Sequence, residues 1–130
     1  MKTVFLGGTC NESTWRDHLI PRLTNASAYN PVVPNWTPEC QSEEIRQREI
    51  SDYCLYVITP KMIGVYSIAE VIDDSNKRPD KTLFCFFDED GGQSFDKHQI
   101  KSLIQVGVMV NKNGGKWLDH IEDVIEFLNK

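Results

Sequence analysis

Ser51-Asp52-Tyr53-Cys54-Leu55-Tyr56-Val57-Ile58-Thr59-Pro60, continued by Lys61-Met62-Ile63-Gly64-Val65-Tyr66-Ser67-Ile68-Ala69-Glu70, decides the fold of this chain. Residues 53–58 form an almost unbroken apolar run, which suits a strand covered on both faces, as in a parallel sheet. Thr59-Pro60 stops it, because proline has no N–H to give to a ladder. A glycine-containing loop follows, and Ser67 is expected to open a helix with Glu70 in its first turn. A carboxylate then stands just beyond the carboxyl end of a buried strand, where open α/β sheets bind their ligands. Ser67-Ile68-Ala69-Glu70 also has the spacing of a capping box, in which serine and glutamate satisfy the free N–H groups of a helix start. The two readings make different demands. A capping glutamate folds back on its own helix, whereas a nucleophile projects into a pocket.

Outward from this stretch, apolar strand-like runs alternate with helical patterns. Strands are expected at residues 3–6, 28–33, 53–58, 82–87 and 106–111. Helices are expected at 13–23, 42–51, from 67 onward and around 94–105. A last helix carries Trp117, Ile121, Val124, Ile125 and Leu128 on one stripe, behind the turn Asn113-Gly114-Gly115. Pro21 kinks or ends the first helix, and Pro31 confines the second strand to a sheet edge. Pro34 to Pro38 reads as a loop, and Asp88-Glu89-Asp90-Gly91-Gly92 as an acidic turn. The alternation predicts a flavodoxin-like, doubly wound, five-stranded parallel sheet of order 2-1-3-4-5 with helices on both faces. In that order the loop Gly7-Gly8-Thr9 and the loop leading to Glu70 share one crevice at the switch point.

The chain has 130 residues with 40% hydrophobic content, enough for one domain with a sizeable core. A formal charge of −5 argues against a duplex nucleic-acid surface, which needs a basic stripe to neutralise phosphates. A small metabolite suits that balance better. Cys10, Cys40, Cys54 and Cys85 are scattered without a CxxC pair, and His18, His98 and His120 have no metal-site spacing, so no metal and no cofactor are expected. The start leads straight into a strand and no apolar run reaches membrane-spanning length, so a soluble, cytoplasmic protein with no membrane partner is expected.

Gly7-Gly8-Thr9 permits close backbone approach to a sugar or phosphate, or is simply a tight strand-to-helix turn; it lacks the spacing of a P-loop or dinucleotide fingerprint. Trp36, between Pro34 and Pro38, could stack a planar base or cover the sheet edge. Tyr66 and Ser67 lie beside Glu70 and could contact a sugar or phosphate. Asp52 falls at the opposite end of the sheet and reads as structural. Glu44 on its own reads as a solvated helix charge.

In order along the chain, Phe5-Leu6-Gly7-Gly8-Thr9, Trp15, Asn30-Pro31 before Trp36, Glu44 on the helix ahead of Ser51-Asp52, and Glu70 ten residues after Pro60 resemble the nucleoside 2-deoxyribosyltransferases and their smaller relatives over roughly residues 2–87. The resemblance implies the fold above and cleavage or transfer at the N-glycosidic bond of a (deoxy)nucleoside or nucleotide. Glu70 is then the nucleophile that forms a glycosyl-enzyme, Glu44 the group that moves a proton to the base, and Gly7, Gly8, Thr9, Trp15, Asn30, Pro31, Trp36, Tyr66 and Ser67 the substrate contacts. Related enzymes complete their pockets with a neighbouring subunit, so a homo-oligomer is compatible with the resemblance. Three positions depart from the family pattern: Ile72 where glycine usually follows the glutamate, Gly64 where some members carry aspartate, and Phe5 in place of a tyrosine that orients the nucleophile. The same architecture resembles Toll/interleukin-receptor domains that cleave NAD through a glutamate, which makes NAD glycohydrolysis one alternative. A nucleotide-binding module without turnover is another. A flavodoxin-like electron carrier is disfavoured because the first loop lacks a serine- and threonine-rich phosphate cradle.

Overall fold

The computed structural model describes residues 1–10 and 12–130. Its first strand, β1 (Lys2–Gly8), leads to a short helix α1 (Trp15–Leu19), which tightens into a 3₁₀ turn (Ile20–Arg22) where Pro21 removes a helical N–H donor. Then follow β2 (Ala26–Tyr29), α2 (Pro38–Ile50), β3 (Tyr53–Ile58) and α3 (Tyr66–Lys77). A 3₁₀ turn (Pro79–Lys81) delivers β4 (Thr82–Phe86), and β5 (Glu89–Asp90) pairs with β6 (Gln93–Ser94) in a small hairpin. The chain ends with α4 (Lys97–Lys112), β7 (Lys116–Trp117) and α5 (Ile121–Asn129). The main sheet is parallel throughout, in the order β2-β1-β3-β4-β7. That is the expected flavodoxin-like order, with β7 in the place of the fifth strand.

Alternation along the strands divides the core in two, because successive side chains leave a strand on opposite faces. Val4, Leu6, Leu55, Val57, Leu83 and Cys85 pack against Trp15 and Leu19 of α1 and against Val124, Ile125 and Leu128 of α5. Phe5, Cys54, Tyr56, Ile58 and Phe84 face the other way, onto Val71 of α3 and Leu103 and Val110 of α4. Cys54 and Cys85 are therefore buried as small side chains, the Cys54 thiol donating to the Arg48 carbonyl at 3.3 Å. No helix among the described residues is long and apolar enough to cross a membrane.

Several boundaries differ from the sequence expectation for identifiable reasons. Residues 106–111 are not the fifth strand; they are the last turns of α4. The β-branched alternation of Val106, Val108 and Val110 is overridden by helical spacing, which buries Leu103, Gly107 and Val110 while leaving Val108 exposed. A capping box between Asp96 and Gln99 starts that helix, rather than Ser94. The true fifth strand is only two residues long, pairing Lys116 with Leu83 and Trp117 with Phe84. Trp117 is thus not on the last helix. Its ring stacks on Phe86 and lies against Gly107, where a Cβ would come within 2.3 Å of the indole.

The second strand covers residues 26–29 and not 28–33, because the Asn30 side chain accepts a hydrogen bond from the Val32 N–H and turns the chain before Pro31. Helix α2 begins at Pro38 rather than Ser42, with Thr37 as its side-chain cap and proline at the first helical position, which has no N–H to lose. The acidic turn after β4 is the tip of the β5–β6 hairpin, where Gly91 and Gly92 both take positive φ. Helix α3 begins at Tyr66, with Val65 before it and no side-chain cap, so the Ser67–Glu70 capping box does not form. Glu70 falls just past the first turn and its side chain is free for another role.

Candidate functional site

The carboxyl ends of β1 and β3 and the loops that leave them enclose a cavity of about 350 Å³. Gly8 takes a φ of +112°, and a Cβ there would overlap the Val57 carbonyl, so only glycine lets β1 run this close to β3. A Cβ on Gly7 would press within 2.5 Å of the Tyr56 ring. Both glycines are therefore required by neighbouring protein atoms while also lining the cavity. Thr9 joins the two loops, its hydroxyl oxygen accepting a hydrogen bond from the Thr59 N–H at 2.9 Å.

Helix α1 supports this floor from behind. The buried Arg16 donates from Nε and Nη2 to the Leu6 carbonyl, at 3.1 and 2.9 Å, and from Nη1 to the Thr9 carbonyl at 2.7 Å. Its guanidinium stacks 4.4 Å from the Trp15 ring, whose indole N–H also donates to the Thr9 carbonyl. Arg16 reaches the cavity wall, but Trp15 does not; it is a core residue holding the loop. Burial lowers the Arg16 pKa to about 10, with Cys10, Asp17 and Glu44 pulling the other way.

Pro31, Val32, Val33 and Trp36 form one apolar wall, with Trp36 more than half exposed. Asn30 is absent from that wall and spends its side chain on the turn before it. Tyr66, Ser67 and Glu70 of α3 and Glu44 of α2 line the same cavity. The two candidate carboxylates come from different helices and open on one space. Phe5 also lines it, and Gly64 sits at the rim with open space around it. Ile72, two residues after Glu70, packs into the core beneath α3.

The Glu70 carboxyl is raised to about 7, chiefly by burial. Arg48, with Nη1 3.6 Å from Glu70 Oε2, draws it down, while Glu44 and Asp74 push it up. Glu44 is also raised by burial, against the opposing charges of Arg48 and Arg16. Arg48 itself is buried and works against that burial through its hydrogen bond to Asp74, which leaves it more firmly protonated than an ordinary arginine.

Sequence reasoning passed over Arg16, Arg48, Asp74 and Tyr56. A signal for two of them was present: each candidate carboxylate is followed four positions later, one turn along its helix, by another charged residue that is buried, Glu44 by Arg48 and Glu70 by Asp74. Residues 1–87, from the first residue through the end of β4, match the family model described as nucleoside 2-deoxyribosyltransferase like. That span includes the whole cavity lining. No curated protein matches the chain.

Proposed function

The chain belongs to the nucleoside 2-deoxyribosyltransferase-like family, and from that premise we propose that it cleaves or transfers at the N-glycosidic bond of a deoxynucleoside or deoxynucleotide. A Glu70 oxygen attacks the anomeric carbon as the bond from that carbon to the base nitrogen breaks. The electron pair leaves with the base, which takes a proton from Glu44. A second base or water then attacks the glycosyl ester, gives its proton back to Glu44 and frees the Glu70 carboxylate.

The single observation that carries this reading is the pairing of Glu70 and Glu44 on one cavity from two helices, with neither tied up as a helix cap. Trp36 and the adjoining apolar wall suit the face of a base. The acid-base requirement fixes a pH dependence. Glu70 must be ionised to attack, so turnover rises as pH climbs through about 7. Glu44 must carry a proton to protonate the leaving base, and its burial favours that protonated form.

The test is chromatography of deoxynucleosides, deoxynucleotides and NAD incubated with the protein, each with and without a free acceptor base. Base exchange that Glu70→Gln lowers by about 10³-fold or more supports transfer. Base release without an acceptor, equally dependent on Glu70, supports hydrolysis. Unchanged turnover in Glu70→Gln overturns the nucleophile assignment, and binding without product from any substrate favours a nucleotide-binding module.

A further inference from the structure

A second set of charges, centred on Asp74, adjoins the cavity, and its Arg48 lines a neighbouring pocket together with Trp36, Glu44, Tyr66 and Glu70. Asp74 is fully buried, yet it receives Arg48 through Nε at 3.2 Å and Nη2 at 2.9 Å, a two-point grip on both carboxylate oxygens. The Tyr56 hydroxyl donates to Asp74 Oδ2 at 2.5 Å, and Arg78 closes on Oδ1 from the end of α3. Arg48 Nη2 also meets Asp73 at 3.1 Å, which leaves Nη1 directed toward Glu70. Among the described residues it is the only cation within 4 Å of the Glu70 carboxyl. One rigid guanidinium therefore spans three carboxylates of α3, Glu70, Asp73 and Asp74, and ties α2 to that helix.

We infer that Asp74, acting through Arg48, is a positioning residue for Glu70: the pair fixes where the Glu70 carboxyl stands and meters how much positive charge it receives. The inference rests on the reading of Glu70 as the reacting carboxylate, and it adds a device that reading does not require. The charged and titratable groups around Glu70 are Glu44 and Arg48 from α2, Arg16 from α1, Cys10 from the first loop, and Tyr66, Asp73 and Asp74 from its own helix, with Tyr56 of β3 and Arg78 reaching Asp74. Among the described residues only Arg48 bridges Glu70 to the fully buried Asp74 carboxylate.

Two opposite consequences follow. Asp74→Asn removes a nearby negative charge and releases Arg48 from its strongest partner, so both effects favour ionised Glu70. Arg48→Gln removes the nearby positive charge and favours the protonated form. A purely structural role lowers stability in both variants and leaves the ionisation of Glu70 where it was.

The experiment is a carbon-detected NMR titration of the glutamate carboxyls in the full chain without substrate, with Glu70→Gln assigning the resonance. Relative to the unsubstituted protein, the Glu70 midpoint is expected to fall by about one pH unit in Asp74→Asn and to rise by about as much in Arg48→Gln. Arg48→Lys, which keeps the charge without the fork, should lie between Arg48→Gln and the unsubstituted protein. If Asp74→Asn fails to fold, Arg48→Gln decides the matter, because there Asp74 keeps Arg78 and Tyr56 as partners. An unmoved midpoint in folded Arg48→Gln, or shifts of the same sign in both variants, overturns the inference. Since no turnover is measured, opposite shifts in a protein inert toward every substrate would preserve the relay and sink the proposed function instead.

Discussion

On the face of the sheet that meets α1 and α5, the strands present Val4, Leu6, Leu55, Val57 and Leu83, and the helices answer with Leu19, Val124, Ile125 and Leu128. On the opposite face the same strands present Phe5, Tyr56, Ile58 and Phe84, but the hydrocarbon is interrupted by a seam in which Tyr56, Asp74, Arg48 and Arg78 hold one another. Helix α2 illustrates the contrast. Arg48 is its only buried residue, so an ionic grip rather than an apolar stripe ties it to α3. A hydrophobic face is cheap to build and tolerant of redesign, whereas a buried charge cluster is costly unless every member is paired. The seam lies directly below Glu70, which suggests that its cost is offset by what it does for that carboxylate.

The largest stability effect that sharpens this comparison belongs to the hydrocarbon face. Leu128→Ala, at a site with no solvent exposure, should destabilise the protein by about 3 kcal/mol through lost transfer energy and the cavity left behind. Chemical denaturation measures that loss. Turnover per folded molecule and the Glu70 titration should both stay unchanged, and a shifted titration would mean that the two faces are coupled through the sheet.

A smaller effect, of opposite sign, belongs to the site. Glu70 has a folded pKa of about 7 against an ordinary value of 4.5, so the folded protein holds this proton longer than the unfolded chain does. The resulting penalty on folding is absent at low pH, grows as pH rises between those two values and is complete above about 7. Glu70→Gln removes it. Allowing for partial solvent screening of this carboxyl, the variant should be more stable than the unsubstituted protein by about 2 kcal/mol at pH 8 and nearly equal to it at about pH 3.5, as read from paired denaturation curves. Equal stability at both pH values would show that the carboxyl is better solvated than its surroundings indicate.

The sequence and the structure agree most closely where pattern length is greatest. Residues 53–58 are long, apolar and bounded by proline, and they form the central strand as expected. The C-terminal third was harder to read. A two-residue strand at Lys116–Trp117 is too short to carry a period, and it is held by Phe86 stacking and by the gap at Gly107, both long-range facts. Residues 106–111 alternate convincingly yet belong to a helix, since burial follows 3.6 residues per turn once Asp96 and Gln99 have capped its start. Resemblance and chain order pointed to Glu44 and Glu70, and both line the cavity. Arg16 was not legible, because its role is to collect three backbone carbonyls from a strand end, and backbone partners leave no mark on sequence spacing.

Tyr56→Phe should have the smallest effect of the three substitutions and separates the two functions of the seam. The ring lies in space that Gly7 leaves open, so phenylalanine fits there without repacking. What is lost is the hydroxyl donated to Asp74 at 2.5 Å, from a phenol that burial and the neighbouring carboxylate keep protonated at any workable pH. Asp74 retains Arg48 and Arg78, so its charge stays paired and the cost should be about 1.5 kcal/mol, the low end of the range for a hydrogen bond to a charged group. Arg48 keeps its place, and the Glu70 midpoint should therefore scarcely move. A midpoint that falls as far as in Asp74→Asn would reassign the metering role from the ion pair to the phenol, because it would show that Asp74 holds Arg48 only while Tyr56 holds Asp74.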